Sequence, residues 1–336
     1  MKHVSSRLLL TLVFVLAFAF VCLAGPSQDK AVPKVPEEET KAAAAIETAA
    51  DAPAKLAAAT AFATKYPKST LRPKVAQHVA YQISIMPDNA QKVRLAEELQ
   101  KAFAGPGEVN IVRRVVIDAY ASADRLDEAF ALANTALTAT PEDVWLLTRM
   151  AGAGTDAAKK QNGKFVTTSL QYGTKAIGLI EANKKPADLD EATWTAQKNM
   201  LPRLYQDMGI LSFISKNHAD AQAKFEKAAT LVPDDPMNYA MIATIYDDQY
   251  QQSAEAYKAM PAGAQRDEMM KKINQQLDLA IENYARAIGV ATGRPEYQPL
   301  MNQAIQNLTP YYKFRHNNST DGMQALIDKY KPAPKP

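Results

Sequence analysis

Four histidines, one cysteine and an adjacent pair of aspartates are the residues in this 336-residue chain whose types could carry chemistry. The histidines are His3, His78, His218 and His316. None has a second ligand at the short spacing that a metal motif uses. His218 falls in a polar turn, where a solvated role is expected. Asp247-Asp248 beside Tyr246 lacks the alternating oxygen ligands of a calcium loop, so a groove-lining or solvated acidic patch is expected there instead. No Gly-rich phosphate loop and no Gly-x-Ser-x-Gly elbow occurs. The expectation is a non-enzyme with no catalytic residue, no metal site and no cofactor. Tyr311-Tyr312-Lys313-Phe314-Arg315-His316 mixes aromatics with cations, a combination that can stack on bases and neutralise phosphates. The same residues fit a capping helix with aromatics inward and Lys313 and Arg315 outward, and that reading is adopted. Trp145 and Trp194 read as packing residues.

The cysteine, Cys22, belongs to an N-terminal segment with the grammar of an export signal. Lys2 and Arg7 make a basic start, Leu8 to Ala24 is apolar, and Cys22-Leu23-Ala24 places small residues before a cut at Gly25. Residues 1–24 therefore read as a signal peptide, and the chain as exported, either periplasmic or secreted. Two alternatives stay open. The segment stays uncut as a membrane anchor, the one case in which membrane contact is expected, or Cys22 is lipidated, which Ala19-Phe20-Val21 fits poorly. After cleavage no cysteine remains for a disulfide or a thiolate, which suits a bacterial periplasm. Losing Lys2 and Arg7 takes two from the 39 basic residues against 36 acidic ones, so the formal charge falls to +1. That balance gives no reason to expect a nucleic-acid partner.

The elements behind these residues are helices. Hydrophobic residues make up 47% of the chain, glycines number only 13, and no Val/Ile/Thr run alternates as a strand would. Residues 25–40, with Pro26, Pro33 and Pro36, read as a flexible linker. Helical patterns then run over Lys41–Asp51, Ala54–Tyr66, Leu71–Ile85, Asp88–Phe103, Val144–Lys159 and Phe165–Ala182. Another runs from Glu191 to Phe213, with Pro202 kinking it or setting off a short leading piece. Pro295–Leu308, Tyr311–His316 and Asp321–Tyr330 close the helical part, and 331–336 reads as a disordered tail.

One stretch, 205–233, organises the rest. Two helical patterns face each other across Lys216-Asn217-His218. The first carries Tyr205, Met208, Gly209 and Ser212; the second carries Ala221, Phe225, Ala228 and Pro233. The spacing resembles the tetratricopeptide repeat, with its aromatic, Leu-Gly, Tyr, Ala, Phe and closing Pro over ~34 residues. Upstream, Tyr120, Ala129, Ala133, Ala136 and Pro141 repeat the offsets. Downstream, Tyr239, Ile242, Ala243 and Tyr246 match a first helix. Its second helix, with Ala280, Tyr284 and Ala287, arrives about 25 residues late. The best repeats are 110–141, 202–235 and 236–292. The last carries an insertion over 247–275, read as two extended helices with a raised turn at Pro261-Ala262-Gly263.

The resemblance implies an all-α fold, a right-handed α-solenoid of helix hairpins over 41–330. It implies that Tyr205, Gly209, Ala221, Phe225, Ala228, Pro233, Tyr239, Tyr246, Ala280, Tyr284 and Ala287 pack the repeats. First helices should line a concave groove, with Arg114, Asp118, Arg203, Gln206, Thr244, Asp247 and Asp248 as partner-binding candidates. The expected function is a scaffold or adaptor of the bacterial cell envelope that holds a peptide or partner helix in that groove. The alternative is a small-molecule-binding or enzyme-accessory subunit whose pocket the 247–275 insertion closes.

Overall fold

A computed structural model of the chain describes residues 35–187 and 189–333. The expected signal at 1–24, the linker as far as 34 and the last three residues of the tail lie outside the described residues. Among the described residues there is no strand. The helices are α1 (Glu37–Glu47), α2 (Ala52–Lys65), α3 (Arg72–Ser84), α4 (Asn89–Ala102), α5 (Val109–Ser122), α6 (Leu126–Ala139), α7 (Val144–Lys159) and α8 (Val166–Glu181). There follow α9 (Glu191–Lys198), α10 (Leu201–Ile214), α11 (His218–Leu231), α12 (Pro236–Lys258), α13 (Ala264–Ala291), α14 (Gln298–Arg315) and α15 (Met323–Asp328).

Local chemistry fixes the helix ends. Asp51, Asp88, Asp143 and Asp190 each accept a hydrogen bond from the backbone N–H three residues on, which satisfies a donor the helix start leaves free. The turns after α5, α7, α8 and α10 share one geometry. Asp124, Gln161, Asn183 and Lys216 all take a positive φ just past a helix end. In each case the next residue's N–H reaches back five residues, as Asn217 does to the Ser212 carbonyl at 2.9 Å. Three of these turns lie inside hairpins, α5 with α6, α7 with α8 and α10 with α11, and the fourth joins α8 to α9; α12 and α13 pair through a different turn that contains Gly263.

Each hairpin buries its apolar stripe against the next. Phe225, Ala221 and Ala228 of α11 are fully buried, and Phe225 lies so close to α10 that a Cβ at Gly209 would stand 2.8 Å from its ring. The cores are continuous: Tyr120 and Leu132 pack against both the cluster of α1–α5 and the cluster of α5–α11. The ring of Phe130 stacks on Phe165 at 4.3 Å. Along one face α3, α5, α7 and α10 follow one another in contact. The chain is thus an all-α solenoid of tetratricopeptide-like hairpins, as the repeat spacing implies.

Several expectations need correction. The helical array begins at Glu37, inside the segment read as linker, with three glutamates in the first turn, where negative charge meets the helix dipole. Pro202 separates rather than kinks: α9 ends at Lys198 and Pro202 opens α10, where its missing N–H costs nothing. The two C-terminal segments are one helix, α14, running through Pro310. Pro310 and Gln306 are both exposed, so water serves the carbonyl that loses its helical partner. Pro233 is exposed too. It ends the second helix, and its carbonyl accepts from the Tyr239 hydroxyl at 2.9 Å, but it packs no core.

The insertion forms the expected pair of long helices. α12 has 23 residues and α13 has 28, against 14 each in α10 and α11. At 1.5 Å rise per residue the pair is roughly 15–20 Å longer than its neighbour. Arg266 sits over the Tyr257 ring at 4.5 Å and holds the tip together. α14 braces the outer half, with Arg315 gripping both carboxylate oxygens of Asp278 at 2.7 and 2.9 Å.

Candidate functional site

Two clefts open in succession along the first-helix face and share one wall residue, Gln197. The first, about 940 Å³, lies between the start of α5, the start of α7 and the loop after α8. The second, about 470 Å³, lies between α7, α9 and α10, with a predominantly apolar lining. Both volumes are in the range of ligand-holding clefts. In the second, α7 contributes Trp145, Thr148 and Gly152 at helical spacing; α10 contributes Arg203, Leu204 and Asp207, with Met200 just before its start. The short helix α9 closes the side with Gln197. It is pinned by Trp194, which is buried and donates its indole N–H to Asn183 at 3.0 Å.

The arginines of this face are matched; Lys175 and Lys184, which line the first cleft, are not. Arg114 pairs with Asp143 at 2.8 Å and lies over the Trp145 ring at 5.4 Å. Arg149 donates to Asp118 at 2.6 Å. Arg203 stands 3.1 Å from Asp207 Oδ1. The oxygens are not matched. Thr148 Oγ1, Gln197 Oε1 and Asp207 Oδ1 are buried without a hydrogen-bond partner, since the Arg203 Nε–H is close to Oδ1 but not aligned to donate. Asp207 is 5% exposed, and burial pushes its carboxyl up to about 6 against the opposing pull of Arg203 and Lys159. Three unsatisfied buried oxygens in one cleft wall are unusual in a folded chain, where such groups find partners.

Of the expected groove residues, Arg114, Asp118 and Arg203 stand on this face. Gln206 does not: it is 7% exposed and donates to Asp235 at 2.7 Å and Asn238 at 2.9 Å, tying α10 to the start of α12. Asp247 turns inward as well. It accepts from the hydroxyls of Tyr284 and Tyr311, so it braces α13 and α14. Asp248 faces the Nε2 of His218 at 2.9 Å, and His218 is largely buried against Phe213 rather than solvated. Thr244 lines a separate cleft of about 900 Å³ between α12 and α14. Neither that cleft nor the one at α7–α10 takes a side chain from 247–275 past Thr244, so the insertion closes neither. In the Tyr311–His316 segment, Tyr311 and Tyr312 turn inward but Phe314 is 69% exposed. Among the described residues no group of three or more His, Cys, Asp and Glu could hold a metal ion.

The residues missed from sequence are Trp145, Thr148, Arg149, Gln197, Met200 and Asp207. A signal was present: Leu204, Asp207 and Leu211 fall on one helical stripe, and a carboxylate there must be buried.

A stack of helix hairpins with a lined first-helix face defines the class, an α-helical repeat fold with tetratricopeptide-like hairpins. No family model matches the chain, and no curated protein matches it. Solved structures do. A tetratricopeptide repeat protein from Parabacteroides merdae is 14% identical over 80% of this chain and 98% of its own, with a TM-score of 0.42. Two structures of monomeric mutants of IFIT1, one carrying a further point substitution and bound with m7Gppp-AAAA, the other with Gppp-AAAA, are 13% identical over 83% of this chain, each with a TM-score of 0.40. This chain spans 56% of the length of those IFIT1 chains.

Proposed function

We propose that the protein is a non-enzymatic scaffold that binds an extended peptide segment along the face of α5, α7, α9 and α10. The observation that carries this reading is the succession of two clefts joined at Gln197, which suits a long occupant better than a compact one. The partner is a protein or peptide, met in a bacterial envelope if the leader-like start at 1–24 acts as one; fractionation of cells carrying the full chain tests that placement.

Gly152 offers the test of the site. A Cβ there meets only Asp207 Oδ2 at 3.8 Å, an ordinary contact. Gly152→Leu therefore fills the cleft without breaking the helix, and the loss of a mid-helix glycine favours the fold. Random peptides displayed on phage and selected on the parent chain should bind it and fail on Gly152→Leu. Equal binding to both would sink the proposed site.

A further inference from the structure

We infer that the cleft over α12, walled by α11 and α13, binds a small zwitterion, a free amino acid whose carboxylate meets Arg286 and whose ammonium meets Glu226. This cleft, of about 420 Å³, shares no residue with the two clefts of α5–α10 and is large enough for a small ligand. Both residues line it, and they are not paired with each other. At the α13 pole, Arg286 has no hydrogen-bond acceptor and no carboxylate within ion-pair distance among the described residues. The carboxylate one turn before it, Glu282, is taken by Lys329 at 3.0 Å and by the Tyr330 hydroxyl. The guanidinium is nevertheless positioned. It lies 4.0 Å from the centre of the Tyr239 ring and 5.5 Å from that of Tyr330. The Tyr239 ring is itself tied down through its hydroxyl to the Pro233 carbonyl at 2.9 Å. Arg286 is half-buried, and none of its nitrogens is sealed from water. A guanidinium held this way, with its N–H groups accessible and unspent, suits a carboxylate.

The α11 pole offers acceptors. Glu226 is exposed and has no cation within ion-pair distance among the described residues. Gln222 donates to its Oε1 at 2.7 Å and to the Tyr246 hydroxyl at 2.8 Å, which steadies the carboxylate beside that ring. Asn283, one turn before Arg286, donates to the Leu279 carbonyl at 2.9 Å, and its own Oδ1 stays accessible as a second acceptor. A ligand with two carboxylates, or a phosphate, would bring negative charge up to Glu226. A diamine would bring positive charge up to Arg286. One carboxylate and one ammonium on the same small molecule satisfy both poles. Ala229, Ile242 and the Tyr246 ring lie on the same lining and give an apolar surface for an aliphatic body.

The test titrates the full chain with L-leucine and with 6-aminohexanoic acid, zwitterions whose charges stand close together and far apart. Each probe is also used N-acetylated, which removes the ammonium, and amidated, which removes the carboxylate. Affinity is read by isothermal titration and by ligand-observed NMR on the parent, Arg286→Gln, Glu226→Gln and Gly152→Leu, each checked for helicity by circular dichroism. The expected result is saturable binding of at least one zwitterion, weakened about tenfold by either cap on the parent. On Arg286→Gln the loss caused by amidation should fall below about twofold, and on Glu226→Gln the loss caused by acetylation should do the same. Gly152→Leu should bind as the parent does, because the peptide clefts lie elsewhere. Absence of saturable binding by both zwitterions would overturn the inference. So would capped forms that bind the parent as well as the free ones, a comparison that needs no change to the protein. Loss of binding on Gly152→Leu with none on Arg286→Gln would move the ligand out of this cleft and overturn it too.

Discussion

Replacing Asp207 by asparagine should stabilise the protein at neutral pH and leave its stability at pH 4 nearly unchanged. The carboxyl is held at about 6 in the folded chain against a reference of 3.8, chiefly because burial disfavours its charge. The sign follows from linkage. A folded value above the unfolded one means that the folded state binds the proton more tightly. The stability due to this group is fully present below pH 3.8 and is lost as pH rises through 6. Two pH units correspond to about 3 kcal/mol at pH 8, an order-of-magnitude figure for a group this buried. Asparagine keeps the volume and carries no charge to desolvate. The assay is the difference in thermal midpoint between variant and parent at each pH from 4 to 8, which cancels the titration of all other groups. At about 2–4 °C per kcal/mol for a chain of this order of size, the variant should gain roughly 5–10 °C at pH 8 and little at pH 4. A difference constant across that range, or a loss at pH 8, would refute the reasoning that Asp207 is a desolvated acid.

Other consequences concern the frame that holds the site. Phe225→Ala removes a fully buried ring between α10 and α11 and should cost about 3–5 kcal/mol in urea unfolding. Gly209→Ala should destabilise as well, since its Cβ meets that ring at 2.8 Å, and Gly209→Ala combined with Phe225→Leu should recover part of the loss. Arg72 pairs with the buried Glu108 at 2.6 Å and caps the carbonyls of Ala63 and Ala102, so Arg72→Ala should cost about 3–5 kcal/mol. Burial raises the Glu108 carboxyl, but the hydrogen bonds from Arg72 and the Gly105 N–H outweigh it and hold it low; that stabilisation is present above the unfolded value and fades as acid titrates the pair. Lys216 takes φ +62 in a hairpin turn, so Lys216→Gly should raise stability by about 1 kcal/mol, read as a shift in urea midpoint.

The frame was legible in the sequence because it depends on local grammar. Val144–Lys159 reads as a helix from its aspartate cap to its turn, and the aromatic-glycine-alanine spacing of 205–228 places Gly209 against Phe225 before any coordinate is known. The site was less legible because it is an exception to that grammar. Trp145, Thr148 and Gly152 lie one helical face apart in the most degenerate unit, where no repeat template says which face looks outward. Gln206 and Asp247 are polar residues on first helices, and composition alone places them in the groove. Their burial comes from Asn238 and from Tyr284 and Tyr311, partners 32 to 64 positions away. Asp207 could have been found by asking why a carboxylate interrupts an apolar stripe.

The central claim is that a peptide lies across α7, α9 and α10, and a crystal structure of the full chain with a selected peptide tests it most directly. The account predicts peptide density running past Gln197 and against Trp145. A peptide seated instead on the long α12–α13 hairpin, or on the second helices α6, α8 and α11, would contradict it.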